Sequence, residues 1–375
     1  MNRRQEHNWQ TPLLGKIAEF IASGSESEQR LCGLAFELAR LHHQRIPIYR
    51  KLCEMRGVDL DRVQRLEDLP AVSSDAFKRA ELHIKPGAVV HRFTSSGTSG
   101  GENKKGIACF SGDDFSLMDV AVDVNAERFL FPDHAERKTL ILILAPSPDI
   151  APQMIMVYGM KRLRDNYGME GSDFLIGPQG LDFPRLVNSL AEACANGIPV
   201  TIIGASFGFI HLFSALSERN LRFQLPKFSR CMDAGGFKGK SREVRRDEMI
   251  EAFEKHLGIA AGYCVNLLGL TEHASQFYDG ALAAAYTKSP PLKGKRNTPW
   301  TRTWAVNPET LAVLPHGETG ILRHLDLANG GHPFLVQTDD LGFTYENGFE
   351  VIGRASNAES RGCSLTVDEL VASGE

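Results

Sequence analysis

Apolar residues recur at helical spacing near the start of the chain, most clearly at Leu31, Leu34, Ala35, Leu38 and Leu41. Residues three and four apart share one face of a helix, so this stripe predicts a helix that buries that face. Arg45-Ile-Pro-Ile-Tyr49 interrupts the stripe and Tyr49–Met55 resumes it. Glu67-Asp-Leu-Pro70 then turns the chain, and Ser73-Ser-Asp75 predicts a cap for a short helix containing Phe77 and Lys78. The apolar run Ala88-Val-Val90 predicts a strand, and Asp113–Phe129 a helix with Ser111 or Asp113 near its N-cap. Thr139–Ala145 and Pro199–Ile203 are continuously apolar, as expected of strands buried on both faces. Between them Leu186–Ala195 reads as a helix closed by Asn196-Gly197. Ser241–His256 reads as a charged helix, and Ile259–Leu268 returns to apolar character. Strand and helix signals alternate here, which predicts an α/β core built on a largely parallel sheet.

From about Pro299 short alternating segments take over. Phe334–Thr338, Gly342–Tyr345 and Glu350–Ile352 are expected as strands, with Asn347-Gly348 as the hairpin turn joining the last two. The expected organisation is a helical region at 1–80, an α/β core at 81–298, a small β-rich module at 299–354 and a tail at 355–375 carrying Cys363.

Composition narrows the function classes. Among 375 residues, 42% are apolar and 23% charged, which is ordinary globular usage. A formal charge of −4 offers no bulk attraction to nucleic acid or anionic lipid, so nucleic acid is not an expected partner. The basic clusters Lys161-Arg-Leu-Arg164 and Arg242–Arg246 read as solvated helix faces. No apolar run approaches the ~20 residues of a membrane span. Met1-Asn-Arg-Arg4 does not open a signal sequence, because Gln5, Glu6, His7, Lys16 and Glu19 interrupt the apolar stretch such a sequence needs. Seven cysteines, odd in number, scattered and without a C-x-x-C pair, predict neither a disulfide framework nor a zinc knuckle. A reduced, cytoplasmic protein is the expectation.

The candidate chemistry begins at Arg92–Gly106, where hydroxyls alternate with glycines through Thr94, Ser95, Ser96, Gly97, Thr98, Ser99 and Gly100. Glycines let a backbone turn its N–H groups toward an anion, and hydroxyls add donors. Lys104 and Lys105 come at once after it, either of which could give a point charge for phosphate. No Walker pattern is present, and a flexible surface loop is the alternative for this stretch alone. Ala234, Gly235 and Gly236 form a small-residue turn that a flat ligand could approach, or a plain strand-to-helix connection. Gly269-Leu270-Thr271-Glu272 comes after a buried run, the place where open α/β sheets bind ligands. Mg²⁺ favours one carboxylate plus nucleotide phosphates, which suits Glu272, while a helix N-cap explains Thr271-Glu272 equally well. In Gln337-Thr-Asp-Asp-Leu341, Asp340 could accept both hydrogens of a ribose diol, with Arg354 nearby; a turn with two solvated acids is the alternative. Phe207, Phe209, His211 and Phe213 come after the Pro199–Ile203 run and could line an apolar slot, although core packing explains such phenylalanines more often.

In order and spacing these pieces resemble the adenylate-forming (ANL) superfamily of acyl-CoA synthetases, peptide-synthetase adenylation domains and firefly-type luciferases. Ser96-Gly-Thr-Ser-Gly100 with Lys104 or Lys105 looks like that superfamily's phosphate loop, and Ala234-Gly-Gly236 like its adenine-side turn. Gly269-Leu-Thr-Glu272 looks like its magnesium motif, Thr338-Asp-Asp340 like its ribose-binding acid and Gly353-Arg354 like its hinge arginine. The resemblance covers roughly residues 40–363. Within it the chain is most similar to the LuxE-type acyl-protein synthetases and their phenylacetate–CoA-ligase-like relatives, through Leu69-Pro70, Phe77-Lys78, Gly235-Gly-Phe-Lys238 and Arg361-Gly-Cys363.

The resemblance implies an adenylate-forming N-terminal domain without the C-terminal lid domain, using ATP and Mg²⁺ to activate a long-chain fatty acid. It further implies acyl transfer to Cys363 and a partner acyl-protein reductase. Two departures are visible. The loop reads Gly-Gly-Glu-Asn-Lys-Lys where the superfamily often has Gly-x-Pro-Lys, and the chain ends soon after the hinge arginine. A short acyl-CoA or aryl-CoA ligase and a non-catalytic nucleotide- or acyl-binding subunit are the alternatives.

Overall fold

The stripe at residues 31–41 is the buried face of a longer helix, Glu28–Arg45, in which Leu31, Leu34, Ala35 and Leu38 are buried. Ser27 caps it by accepting a hydrogen bond from the Arg30 N–H. Pro47, lacking an N–H, cannot continue that helix and instead starts the next, Pro47–Met55. Pro12–Ser23 forms a further helix ahead of these. The short helix expected near Phe77 is a 3₁₀ turn, Ser74–Lys78, capped by Ser73.

The structure is a computed structural model that describes residues 7–95, 105–235, 244–290 and 294–355. It divides into two units, one of Met1–Val124, Leu270–Ser275 and Arg296–Glu375, the other of Asn125–Gly269 and Gln276–Lys295.

The second unit carries the α/β core. Its strands are ordered Phe277–Tyr278, Cys264–Leu268, Arg230–Ala234, Val200–Ala205, Leu140–Pro146, Asp173–Gly177 and Gly180–Leu181. The inner neighbours pair in parallel and the two short edge strands antiparallel. Helices Ile155–Tyr167, Phe183–Asn196, Ser206–Glu218 and Arg246–Leu257 make the crossovers. Leu186, Leu190, Phe209, Leu212, Phe213 and Phe253 pack against Leu142, Leu144, Ile202 and Cys231, so the central strands read as unbroken apolar runs. The chain runs outward from Leu140–Pro146 on one side and then the other, which places a topological switch at the C-terminal ends of that strand and Val200–Ala205.

One expectation fails here. Arg246 is not part of a solvated face: its guanidinium lies 2.5 Å from Asp233 and donates to the Cys264 carbonyl. Arg242 lies outside the described residues, and the helix expected from Ser241 begins at Arg246.

The first unit holds an antiparallel meander of Thr301–Val306, Gly320–Asp326, Leu335–Tyr345 and Gly348–Arg354, with Val72–Ser73 added in parallel to Leu335–Tyr345. Phe334–Thr338 and Gly342–Tyr345 are therefore one strand, not two. A register shift at Leu341/Gly342 absorbs the polar middle, and a Cβ on Gly342 would lie 2.0 Å from the Glu350 carbonyl oxygen. Asn347 closes the hairpin at φ 61, as the Asn-Gly pair predicts. A separate ribbon pairs Val89–Thr94 with Ile107–Ser111. No helix among the described residues is long and apolar enough to cross a membrane.

Histidines are built into this unit's core. His42, His324 and His332 are 0% exposed, and burial lowers their pKa values to about 4, about 3 and about 4. They stay neutral in the fold, whereas the unfolded chain protonates them near the ordinary value of about 6.5. Stability contributed by the neutral rings is thus present above pH 6.5 and lost as the pH falls toward their folded values. His273, also buried, shifts in the same direction. Asp326 opposes them. Burial pushes its carboxyl up to about 6, so its contribution is present below the unfolded value and lost as pH rises through 6. The balance predicts a net uptake of at least about two protons on unfolding near pH 5. Urea midpoints should fall steadily from pH 6.5 to pH 4.5, and a flat profile over that interval would contradict the assignment.

Candidate functional site

The glycine-rich loop is closed at its base by a pair of hydrogen bonds. Ser95 N–H donates to the Gly106 carbonyl and Gly106 N–H donates to Ser95 Oγ, each at 2.9 Å. Thr94, at the end of its strand, pairs with Ile107. Ser95 and Gly106, with ten residues between them in sequence, thus form a narrow neck at the end of a two-stranded ribbon. Ser96, Gly97, Thr98, Ser99, Gly100 and Lys104 lie outside the described residues, and Lys105 is exposed at the returning end.

Glu272 lies beside that neck. A Cβ built on Gly106 would stand 3.5 Å from Glu272 Oε1, 3.5 Å from Ser95 Oγ and 3.6 Å from Phe77 Cβ. Thr271 and Glu272 are half-buried in a turn, with His273 N–H donating to the Leu270 carbonyl at 3.2 Å. No helix starts there, so the N-cap alternative for Thr271-Glu272 falls away. One carboxylate beside a hydroxyl- and amide-lined neck is a donor set that fits Mg²⁺ held jointly with phosphate oxygens. Two buried residues not expected from the sequence, Asp326 and Asn329, hold the segment after Glu272 by its backbone. The available signal was Asn329-Gly330-Gly331-His332, which marks a turn but points to no partner.

The candidate ribose acid also departs from expectation. Gln337–Leu341 lies inside the strand Leu335–Tyr345 rather than after one, and Asp340 is 7% exposed. A turn with two solvated acids is excluded. Arg354 is the cross-strand partner of Asp340, with its Nε 3.3 Å from Asp340 Oδ1. Thr338 Oγ1 donates to the Leu322 carbonyl and accepts from the Asp340 N–H, which fixes the local backbone. Asp339 points its carbonyl at the Ala355 N–H instead.

In the other unit, Ala234 ends a parallel strand and Gly235 turns away at φ 77. Gly235 N–H donates to the Leu267 carbonyl at 2.8 Å, and Ser206 Oγ lies 2.9 Å from both the Gly235 carbonyl oxygen and Asp233 Oδ2. Asn266 Nδ2 donates to Asp233 Oδ2 at 2.8 Å, and Arg246 faces its other oxygen. The turn is fixed from beneath, while a Cβ on Gly235 would meet nothing within 4 Å among the described residues. Gly236 lies outside the described residues.

Phe207, Phe209 and His211 all sit on the helix Ser206–Glu218. Phe209 is fully buried, its ring 4.9 Å from that of Phe253, and belongs to the core. Phe207 is 38% exposed and stacks edge-on with His211 one turn later. Cys363 lies outside the described residues. The described cysteines are free; burial raises the thiol pKa of Cys53 and Cys109 to about 11 and pushes that of Cys231 well above its ordinary value.

Comparison with known proteins decides the family. The family model for "Acyl-protein synthetase, LuxE" matches residues 21–372. The chain belongs to the LuxE acyl-protein synthetase family. Long-chain-fatty-acid–luciferin-component ligases from Vibrio harveyi and Aliivibrio fischeri are each 22% identical to it. The first alignment covers 92% of this chain and 89% of the relative, the second 90% and 88%. Among solved structures, an open conformation of 2-hydroxyisobutyryl-CoA ligase with 2-HIB-AMP and CoA superposes at TM-score 0.62. It is 13% identical and covers 87% of this chain and 74% of its own. The luciferase-like enzyme of the nonluminescent mealworm Zophobas morio matches at TM-score 0.50 and 15% identity, over 72% of this chain and 58% of its own. The LuxE-family chain therefore has the adenylate-forming fold expected from its sequence, and it is an enzyme of the acyl-protein synthetase type.

Proposed function

We propose that this synthetase activates a long-chain fatty acid with ATP and then carries the acyl group on Cys363 for a partner reductase. The observation that carries the reading is the pinched base of the loop at Ser95 and Gly106 with the Glu272 carboxylate beside it. Relatives named as long-chain-fatty-acid ligases, aligned over nine-tenths of the chain, support the choice of acid.

In the first step a carboxylate oxygen forms a bond to the α-phosphorus of ATP. The bond to the bridging oxygen breaks, and pyrophosphate leaves with the electron pair. The acid is its own nucleophile, so the enzyme contributes positioning and charge neutralisation. Backbone N–H groups and hydroxyls from Thr94 to Gly100 would cradle the β- and γ-phosphates, and Lys104 or Lys105 would add a cation. Glu272 would hold Mg²⁺, which when bound offsets charge on the triphosphate. Asp340 would accept both ribose hydroxyls, with Arg354 alongside. Ala234 to Gly236 would border the adenine, and Thr271 would offer ATP a hydroxyl. Phe207 and His211, at the exposed edge of their helix, would flank the acyl chain. In the second step the Cys363 thiolate attacks the acyl carbonyl, forms the thioester and releases AMP. The raised thiol pKa values of Cys53, Cys109 and Cys231 make those groups poor nucleophiles at neutral pH.

Pyrophosphate exchange measured over acids of increasing chain length tests this reading. Exchange should be greatest with long aliphatic acids, and labelled acid should become attached to the chain as a hydroxylamine-sensitive thioester. Turnover that yields free CoA thioester without labelling the protein would favour a CoA ligase. Absence of exchange with every acid would favour a binding subunit.

The ribose assignment makes a narrower prediction. Asp340→Ala should weaken ATP binding and exchange ~10- to 100-fold, the scale of a lost hydrogen bond to a charged group. Asp339→Ala, whose side chain is not placed on Arg354, should change them less than ~3-fold. The reverse order of sensitivity would shift the assignment by one residue.

A further inference from the structure

Glu272 sits on a turn without helix or strand of its own, yet a metal-binding carboxylate must be held within a fraction of an ångström. The chain meets that need from a loop more than fifty residues away in sequence. Asn329 is 0% exposed, and its side-chain amide spans His273 like one rung of a sheet. Its Nδ2 donates to the Glu272 carbonyl at 2.7 Å, and the Ala274 N–H donates to its Oδ1 at 2.8 Å. Asp326 continues the pattern, accepting from Ser275 N–H and Ser275 Oγ at 2.8 Å each. Trp300 Nε1 then donates to Ser275 Oγ at 2.9 Å. The Glu272 carbonyl and the Ala274 and Ser275 amides are thus tied to two side chains.

The loop that bears Asn329 is itself immobilised. Gly331 N–H donates to Asp114 Oδ1 at 2.7 Å, and His83 Nε2 lies 2.8 Å from the other oxygen of Asp114. A Cβ on Gly331 would lie 2.3 Å from Asp114 Oδ1 and 2.5 Å from His83 Nε2, so only glycine lets the loop approach this far. Asn329 Nδ2 also donates to the Pro333 carbonyl at 3.0 Å, which fixes its amide orientation.

We infer that Asn329 is a positioning residue for the Glu272 carboxylate, coupling a rigid loop anchored on Asp114 to the magnesium-binding turn. The inference rests on the metal reading of Glu272. Replacing Asn329 by Asp keeps the acceptor for Ala274 N–H but removes the donor and sets a carboxylate against the carbonyls of Glu272 and Pro333. Such a carbonyl loses its partner without loss of the core side chains around it.

Hydrogen exchange on the metal-free wild-type chain gives a first test that needs no variant. The amides of Ala274 and Ser275 should exchange at least ~100-fold more slowly than an unprotected loop amide, as core hydrogen bonds do. Exchange at loop rates would overturn the inference. In Asn329→Asp and Asn329→Ala, those two amides should exchange faster, and the Mg²⁺ concentration for half-maximal pyrophosphate exchange should rise ~10-fold. In a Glu272→Gln background the same replacements should add less than ~2-fold, because paired residues acting as one unit are not additive. Altered melting with an unchanged Mg²⁺ requirement, or full additivity with Glu272→Gln, would leave Asn329 a packing residue and overturn the proposal. If Glu272→Gln alone leaves exchange and its Mg²⁺ requirement unchanged, the metal reading fails and takes the positioning role with it. An impaired Glu272→Gln beside a normal Asn329→Asp defeats the positioning role alone.

Discussion

Cys363→Ser should exchange pyrophosphate at the wild-type rate and carry no hydroxylamine-sensitive acyl label. The separation arises because adenylate formation makes and breaks bonds only between the acid and ATP, whereas the thioester needs a sulfur nucleophile. Serine keeps the size of the side chain, but its hydroxyl stays protonated at neutral pH and, with no base to activate it, does not attack the acyl-adenylate. Arg361 and Gly362 precede Cys363 in sequence. An arginine beside a cysteine is one of the settings in which a thiolate is favoured. Reach is sufficient as well. Cys363 lies nine residues beyond Arg354, and an extended chain gains up to ~3.5 Å per residue, so about 30 Å is available from the Asp340–Arg354 pair. Incubation with Mg·ATP and labelled fatty acid, and then hydroxylamine treatment, measures the outcome. A labelled Cys363→Ser chain would move the acceptor elsewhere. Loss of exchange together with label would show that the residue serves the first step.

How far the sequence discloses this molecule depends on the range of the interactions involved. The helix Glu28–Arg45 and the strands Leu140–Pro146 and Val200–Ala205 are legible because burial imposes a period or an unbroken run on neighbouring residues. The strand Leu335–Tyr345 is not legible as one element. Thr338, Asp339, Asp340 and Gly342 read as a turn, and what keeps them in a strand is Arg354 across the hairpin and a register shift at Leu341/Gly342. Arg246 looks solvent-facing in its own helix, since its partner Asp233 belongs to a strand thirteen residues earlier. The glycine-rich loop and Glu272 could be named from residue type and order, but their adjacency at Gly106 could not. Asn329 was least visible of all. Its chemistry lies in a backbone carbonyl and a backbone amide, which leave no mark on the identity of the residues that present them.

Glu272→Gln should lower pyrophosphate exchange by at least ~100-fold, the range observed when one preorganised electrostatic group is lost from a reacting site. The carboxamide keeps the shape of the side chain and two polar atoms, so the change isolates charge. On the proposed reading the metal would lose an anionic oxygen, and the repulsion between the triphosphate and an incoming carboxylate would be offset less. The fold should hardly notice. Glu272 is half-buried in a turn, and that turn is fixed by its carbonyl on Asn329 and the amides of Ala274 and Ser275, all untouched by the substitution. The melting temperature should therefore stay within a few degrees of wild type. Raising Mg²⁺ should recover part of the loss, because a weakened site fills by mass action. Exchange measured across a Mg²⁺ titration, beside a melting curve of the same preparation, distinguishes the two effects. Near-normal exchange at low Mg²⁺ would remove Glu272 from the metal site, whereas loss of exchange with a collapsed melting curve would assign it to the fold.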